Sequence, residues 1–125
     1  MNRNQLSLEQ EYSLQLFEEG NNMLITGPAG TGKTCLIKQI MASSIQSKKK
    51  IQICAMTGCA AIILGCNAVT LHSWSGIRLA KGTAEEIYNS VKINKKLISK
   101  WRTTQILVVD EVSMMSKRIF DILNF

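Results

Sequence analysis

An α/β layer fold, a parallel sheet flanked by helices, is predicted by three features of this chain. Apolar runs of strand length stand at Met23–Thr26, Ile51–Met56 and Ile106–Val109. Between them lie segments whose apolar residues recur at helical spacing, and a glycine-rich turn follows the first run directly. Strands that alternate with helices build layered α/β units. A hydrophobic content of 46% over 125 residues supplies one core, which sets disorder aside as the default reading.

Each element has its own signal. Ser7 precedes Leu8, Tyr12 and Leu16 at four-residue spacing, and Gly20, Asn21 and Asn22 close the segment, so a helix is expected over 8–19. The strand ending at Thr26 comes next, then the glycine loop. Lys33–Ser44 reads as a helix with Leu36, Ile37, Ile40 and Met41 as its apolar stripe. Lys48, Lys49 and Lys50 make a solvated connection to the strand Ile51–Met56, and Thr57–Leu64 begins a further helix at a Gly58 turn. Thr83-Ala84-Glu85-Glu86 matches a capping box and opens a short helix. Lys95–Trp101 continues helically. Ile106–Val109 is uninterrupted in its apolar character, as in a parallel strand buried on both faces, and Ser116–Phe125 reads as a final helix. There are no internal repeats, low-complexity tracts or linkers.

Lys and Arg number 15 against 9 Asp and Glu, a net charge of +6. The excess sits in the middle of the chain. Near the start Arg3 faces Glu9, Glu11, Glu18 and Glu19, whereas between residues 45 and 105 only Glu85 and Glu86 oppose a long series of lysines and arginines. Nucleic acid and solvated helix faces account equally well for that bias. The cluster Lys95, Lys96, Lys100 and Arg102 is read as a wet helix face, with Trp101 packing. Cys35, Cys54, Cys59 and Cys66 form no C-x-x-C pair, and one histidine is a poor complement for a metal site, so the cysteines read as reduced residues of an intracellular compartment. No stretch approaches the ~20 apolar residues of a bilayer span, and Met1–Gln5 lacks a secretory apolar segment. The expectation is a protein that is not secreted and has no membrane partner.

Gly27-Pro28-Ala29-Gly30-Thr31-Gly32-Lys33-Thr34 fits G-x-x-x-x-G-K-[ST] without a mismatch. The glycines let successive N–H groups and a helix N-terminus point at phosphate oxygens. Gly27, Ala29, Gly30, Thr31 and Gly32 are therefore the expected nucleotide cradle. Lys33 reaches the β- and γ-phosphates, and Thr34 places its hydroxyl on Mg²⁺. A glycine-rich helix cap needs neither a lysine nor a hydroxyl after its last glycine. Asp110-Glu111 closes the strand Ile106–Val109, at the end where open α/β sheets present ligands. Asp110 suits the magnesium shell and Glu111 suits a general base that polarises water, which a hydrolase needs and a small-molecule kinase does not. The alternative is an acidic pair at a strand end in solvent.

Thr57-Gly58-Cys59-Ala60-Ala61 and Thr70-Leu71-His72-Ser73-Trp74, with Leu6–Gln10 in front and Asp110–Met115 behind, resemble the blocks of the PIF family of superfamily 1B DNA helicases, relatives of bacterial RecD. The resemblance covers nearly all of the chain. It implies a P-loop, RecA-like sheet and an ATP-driven motor moving 5′ to 3′ on single-stranded DNA, with roles in telomere maintenance, recombination, repair and mitochondrial DNA upkeep. In a eukaryote it implies the nucleus or mitochondrion. Gln10 matches the family's adenine-reading glutamine, although Ser7-Leu8-Glu9-Gln10 is also a capping box. Thr57, Gly58 and Thr70 match phosphate contacts to DNA, and His72 and Trp74 match the lining of the single-strand groove. Taken alone, a histidine and a tryptophan at these positions read first as core or structural residues, and only the resemblance brings the groove reading level with that one.

The chain ends inside the helix expected after the Asp110-Glu111 strand. The resemblance then implies that residues 1–125 are the N-terminal part of a first motor domain, lacking the later sensor motif, the second RecA-like domain, the arginines of the γ-phosphate site and the strand that inserts between the two nucleotide-binding strands. A gap at the sheet centre would follow, and with it an unstable, aggregation-prone and inactive chain that needs the rest of a helicase polypeptide. Two other readings stand beside this one: a nucleotide- or DNA-binding module without turnover, and a different P-loop ATPase.

Overall fold

The computed structural model describes residues 6–26, 32–77 and 82–124, and among these the first of the two units into which the chain divides, Met1–Lys49, carries two helices. Helix α1 (Leu8–Glu18) starts with a complete capping box. The Gln10 N–H donates to Ser7 Oγ at 3.2 Å, and the Ser7 N–H donates to Gln10 Oε1 at 2.9 Å. Two otherwise unpaired donors are satisfied reciprocally. The face turned inward is not the Leu8, Tyr12, Leu16 row. Leu8 and Tyr12 are 85% and 64% exposed and only Leu16 of that row is half-buried, whereas Leu14 is buried and Gln10, Ser13 and Phe17 are half-buried. Positions 10, 13, 14 and 17 form one helical stripe, and Gln10 turns it toward the start of helix α2 (Lys33–Gln46), against which α1 packs. On α2 the buried residues are Leu36, Ile37, Ile40 and Ser44, the last returning its hydroxyl to the Ile40 carbonyl at 2.8 Å.

Met23–Thr26 is not a strand. Its side chains alternate as a strand's would, Met23 and Ile25 half-buried and Leu24 and Thr26 exposed, yet it has no ladder partner among the described residues. An extended segment becomes a strand only where neighbouring backbone accepts its hydrogen bonds.

The second unit, Lys50–Phe125, holds a parallel sheet of β1 (Ile51–Ala55), β2 (Val69–Thr70) and β3 (Ile106–Asp110) in the order β2-β1-β3. Lys50 starts the β1–β3 ladder. Its carbonyl accepts from the Gln105 and Ile106 N–H groups, and its own N–H donates to Gln105 Oε1 at 2.8 Å. β1 is central, with Ile53, Cys54 and Ala55 buried. β3 does not match the expectation of burial on both faces. It is the edge of the described sheet, and Leu107 is 38% exposed. β2 carries no sequence signal because two residues cannot display a period.

Helices α3 (Gly58–Leu64), α4 (Leu71–Ser75), α5 (Ala84–Lys92), α6 (Lys95–Thr103) and α7 (Lys117–Leu123) accompany the sheet. Thr57, Thr70, Thr83, Asn94 and Ser116 cap their starts, each side-chain oxygen accepting a first-turn N–H. A single 3₁₀ turn, Val112–Met114, joins β3 to α7. Among the described residues, apolar clusters form from Cys54, Leu71 and Trp74 under β1 and from Ile77, Ile87, Ile119 and Ile122 where α5 meets α7.

Burial raises the Cys54 thiol from its ordinary 9.0 to about 11. The folded state thus holds this proton more tightly than the unfolded chain does, so the associated stability is present below pH 9.0 and is lost as pH rises through about 11. At pH 8 iodoacetamide is expected to alkylate the exposed Cys59 and to leave Cys54 unmodified until denaturant is added, as read by peptide mass analysis.

Candidate functional site

In the first unit the site is the start of α2. Gly32 occupies the N-cap position at φ +85°, ψ 19°, a left-handed conformation suited to glycine. Lys33 and Thr34 are the first two helical residues, Lys33 half-buried and Thr34 exposed. Gly32 has no side chain with which to cap the helix, and no acidic residue stands in the first turn. The positive end of a helix dipole and a lysine at the first helical position are features that suit phosphate. Gly27, Ala29, Gly30 and Thr31 lie outside the described residues.

Gln10 stands against this helix start, where its Nε2 donates to the Gly32 carbonyl at 2.9 Å. Its Oε1 accepts from the Ser7 N–H, so the capping box is formed and both ends of the amide are engaged.

In the second unit the site is the C-terminal edge of the sheet. Parallel strands all deliver their ends to one side, and the register here aligns Thr70, Ala55 and Asp110 in a row across it. With ~4.8 Å between neighbouring strands, Thr70 and Asp110 stand roughly 10 Å apart across Ala55. The starts of α3 and α4 lie at the same edge because each helix follows its strand within a few residues. Thr57 Oγ1 accepts from the Ala60 N–H at 3.1 Å and Thr70 Oγ1 from the Ser73 N–H at 3.3 Å. Either hydroxyl keeps its own proton for an outside acceptor. Gly58, the first residue of α3, is exposed.

Asp110 is half-buried and Glu111 exposed. Glu111 adopts φ 57°, ψ 42°, and its carbonyl accepts from the Met114 N–H at 3.0 Å to close the 3₁₀ turn. A left-handed residue ends the strand at Asp110. A glutamate held there stores about 1 kcal/mol or more, the kind of strain that collects at working sites. Among the described residues no three His, Cys, Asp or Glu side chains converge on a common point.

The groove-lining expectations divide. His72 is half-buried on α4, next to the Thr70 cap. Trp74 is 5% exposed, with its ring 4.9 Å from that of Trp101 at a 50° tilt and in one cluster with Cys54 and Leu71. An indole enclosed in this way has no face left for a base, so the stacking expectation for Trp74 does not agree with its burial. Trp101 packs as expected and also donates its Nε1 to the Ser75 carbonyl at 3.1 Å. Ser75, fully buried, was not singled out from sequence. Its Oγ accepts from the Ile77 N–H at 3.3 Å and closes the end of α4, a role that no local pattern announces.

A family model described as PIF1-like helicase matches residues 1–125. The chain belongs to that family. It is 38% identical over 122 residues to the ATP-dependent DNA helicase PIF1 of Saccharomyces cerevisiae, a match covering 96% of this chain and 14% of that protein. To the Pif1 helicase of Bdellovibrio bacteriovorus it is 38% identical over 111 residues, covering 89% of this chain and 24% of that one. The crystal structure of Candida albicans Pif1 helicase superposes with a TM-score of 0.87 at 39% identity, over 95% of this chain and 27% of that one. This PIF1-like chain therefore spans a small part of the relatives it matches, and its three-stranded parallel sheet with helices corresponds to part of their RecA-like fold. Among the described residues no helix is long and apolar enough to cross a membrane.

Replacing Trp74 by alanine is expected to remove about 3 kcal/mol or more from the second unit, because it empties the centre of a buried cluster. Denaturant unfolding followed by Trp101 fluorescence reads the loss; a change below 1 kcal/mol would mean the indole is not structural.

Proposed function

We propose that this chain is the N-terminal, ATP-binding part of the first motor domain of an ATP-dependent DNA helicase. The observation that supports it most is the coincidence of a PIF1-like match over the whole chain with Gly32, Lys33 and Thr34 at the start of α2. In this reading Lys33 sets positive charge against the β- and γ-phosphates, and N–H groups at the start of α2 donate to phosphate oxygens. The Thr34 hydroxyl and the Asp110 carboxylate are hard oxygen donors of the kind that hold Mg²⁺, with the nucleotide supplying further ligands. Mg²⁺ held with the nucleotide would neutralise charge on its phosphates. Glu111 orients the attacking water and takes its proton.

Thr57, Gly58, Thr70 and His72 are proposed to contact single-stranded DNA. Their contacts are to the sugar-phosphate backbone and carry no base sequence. Since Thr70 and Asp110 share one sheet edge through Ala55, the strand-binding and hydrolytic groups of the second unit are joined by continuous ladder hydrogen bonds. Movement 5′ to 3′, work in repair, recombination or telomere maintenance, a nuclear or mitochondrial location, and dependence on the remainder of a longer helicase belong to the same proposal. Its support is the family and the names of the yeast relatives.

Titration of the chain with a fluorescent ATP analogue and Mg²⁺ tests the nucleotide site. Saturable binding that Lys33→Ala reduces at least tenfold is the expected result; binding indifferent to Lys33 would overturn it. In a polypeptide carrying the rest of the motor, Glu111→Gln is expected to keep ATP binding within about threefold while lowering DNA-stimulated hydrolysis by ~10² or more. Retained hydrolysis would remove Glu111 from the role of base.

A further inference from the structure

We propose that the outer face of α6 is a further DNA-binding surface, one that holds the sugar-phosphate backbone of a duplex. It is separate from the strand contacts of Thr57, Thr70 and His72, and only the choice of DNA as the polyanion rests on the helicase reading above. The helix has two sides. Leu97, Ile98 and Trp101 are half-buried where α6 packs on α4 and α5, whereas Lys95, Lys96, Ser99, Lys100, Arg102 and Thr103 are exposed on the opposite side. The fold brings a fifth cation to this face. Lys50, 53 residues from Thr103 in sequence, donates its Nζ to Thr103 Oγ1 at 2.7 Å, and that hydroxyl donates to the Ser99 carbonyl at 2.8 Å. Lys50 stands before the first residue of β1, ~16 Å along the strand from the row of Thr70, Ala55 and Asp110.

Solvated helix faces usually mix their charges, with acids and bases paired at i, i+4. This face is of one sign. No Asp or Glu occurs between Ile87 and Val109, and none of the five cations is ion-paired among the described residues. Lys95 and Lys96 stand in the first turn of α6, the positive end of its dipole, where cations destabilise a helix, and Lys96 and Lys100 repel each other at i, i+4. A polyanion relieves both conflicts. That it is a duplex follows from the ring that α6 carries: Trp101 is half-buried, lies against Trp74 and donates its N–H to the Ser75 carbonyl, so it gives single-stranded bases no platform. A face that reads charge alone favours the denser charge of a duplex.

The chain is titrated with a short blunt DNA duplex and with oligo(dT) as wild type, as Lys95→Gln with Lys96→Gln, and as Lys38→Gln with Lys117→Gln, which removes the same charge from exposed positions elsewhere. The α6 pair is expected to weaken duplex binding about tenfold and to lower the slope of log K against log salt by about 2, with the control pair within about twofold of wild type. Its urea midpoint is expected to stay level or rise, since two charges opposed to the dipole are gone. Equal effects of the two pairs would overturn the proposal, as would a loss confined to oligo(dT). Lysine acetylation of the wild type gives a second reading that needs no variant. Bound duplex is expected to slow modification of Lys50, Lys95, Lys96 and Lys100 several-fold and to leave Lys38 and Lys117 unchanged; uniform protection would overturn the proposal. Vesicles of equimolar phosphatidylcholine and phosphatidylserine that bind as tightly, through the same pair, would overturn it in favour of a membrane. A chain that binds duplex through α6 but no fluorescent ATP analogue would uphold this surface and count against the nucleotide site.

Discussion

The parallel register of β2, β1 and β3 is the constraint on which the second unit depends. Because the three strands run one way and finish level with one another, Thr70, Ala55 and Asp110 arrive together at a single edge. Everything with chemical capacity in this unit then follows from what comes after each strand: two threonines that cap short helices, and a glutamate in a left-handed turn. Antiparallel pairing of the same segments would send alternate ends to opposite sides and scatter these groups. Lys50 sets the register at the other end, where its backbone bonds to Gln105 and Ile106 leave no freedom to slip by a residue.

Threonine caps are an economical way to make a surface for phosphate. A capping hydroxyl accepts one helix N–H and retains its proton, so a single side chain both stabilises the helix and offers a donor outward. Thr57 and Thr70 do this at neighbouring strands. The same geometry accounts for the tryptophans. α4 is only five residues long, and burying Trp74 against Trp101 anchors it beneath the edge that Thr70 occupies. Trp74 thus supports the edge from below, and its ring is not part of the surface.

Much of this was legible in the residues themselves. The phosphate-loop pattern located the start of α2, the apolar runs located β1 and β3, and the capping boxes located α1 and α5. What escaped has physical reasons. Met23–Thr26 has the alternation of a strand, but strand character is conferred by a partner that its own residues do not encode. α1 carries two apolar rows, and the contact of Gln10 with Gly32, 22 residues away in sequence, selects the one containing Leu14. β2 is too short for a period, and Trp74 reads alike as core or surface until its neighbours are known. Local patterns report what a residue favours, whereas burial is decided by residues distant along the chain.

Ala55 has no exposed surface, and it lies between Thr70 and Asp110 in the central strand. In mechanical terms β1 is a stiff spacer. Neither neighbouring strand can slide along it without breaking backbone hydrogen bonds, so a pull applied at Thr70 is carried to Asp110 as tension in two ladders, with no loop between them to take up the slack.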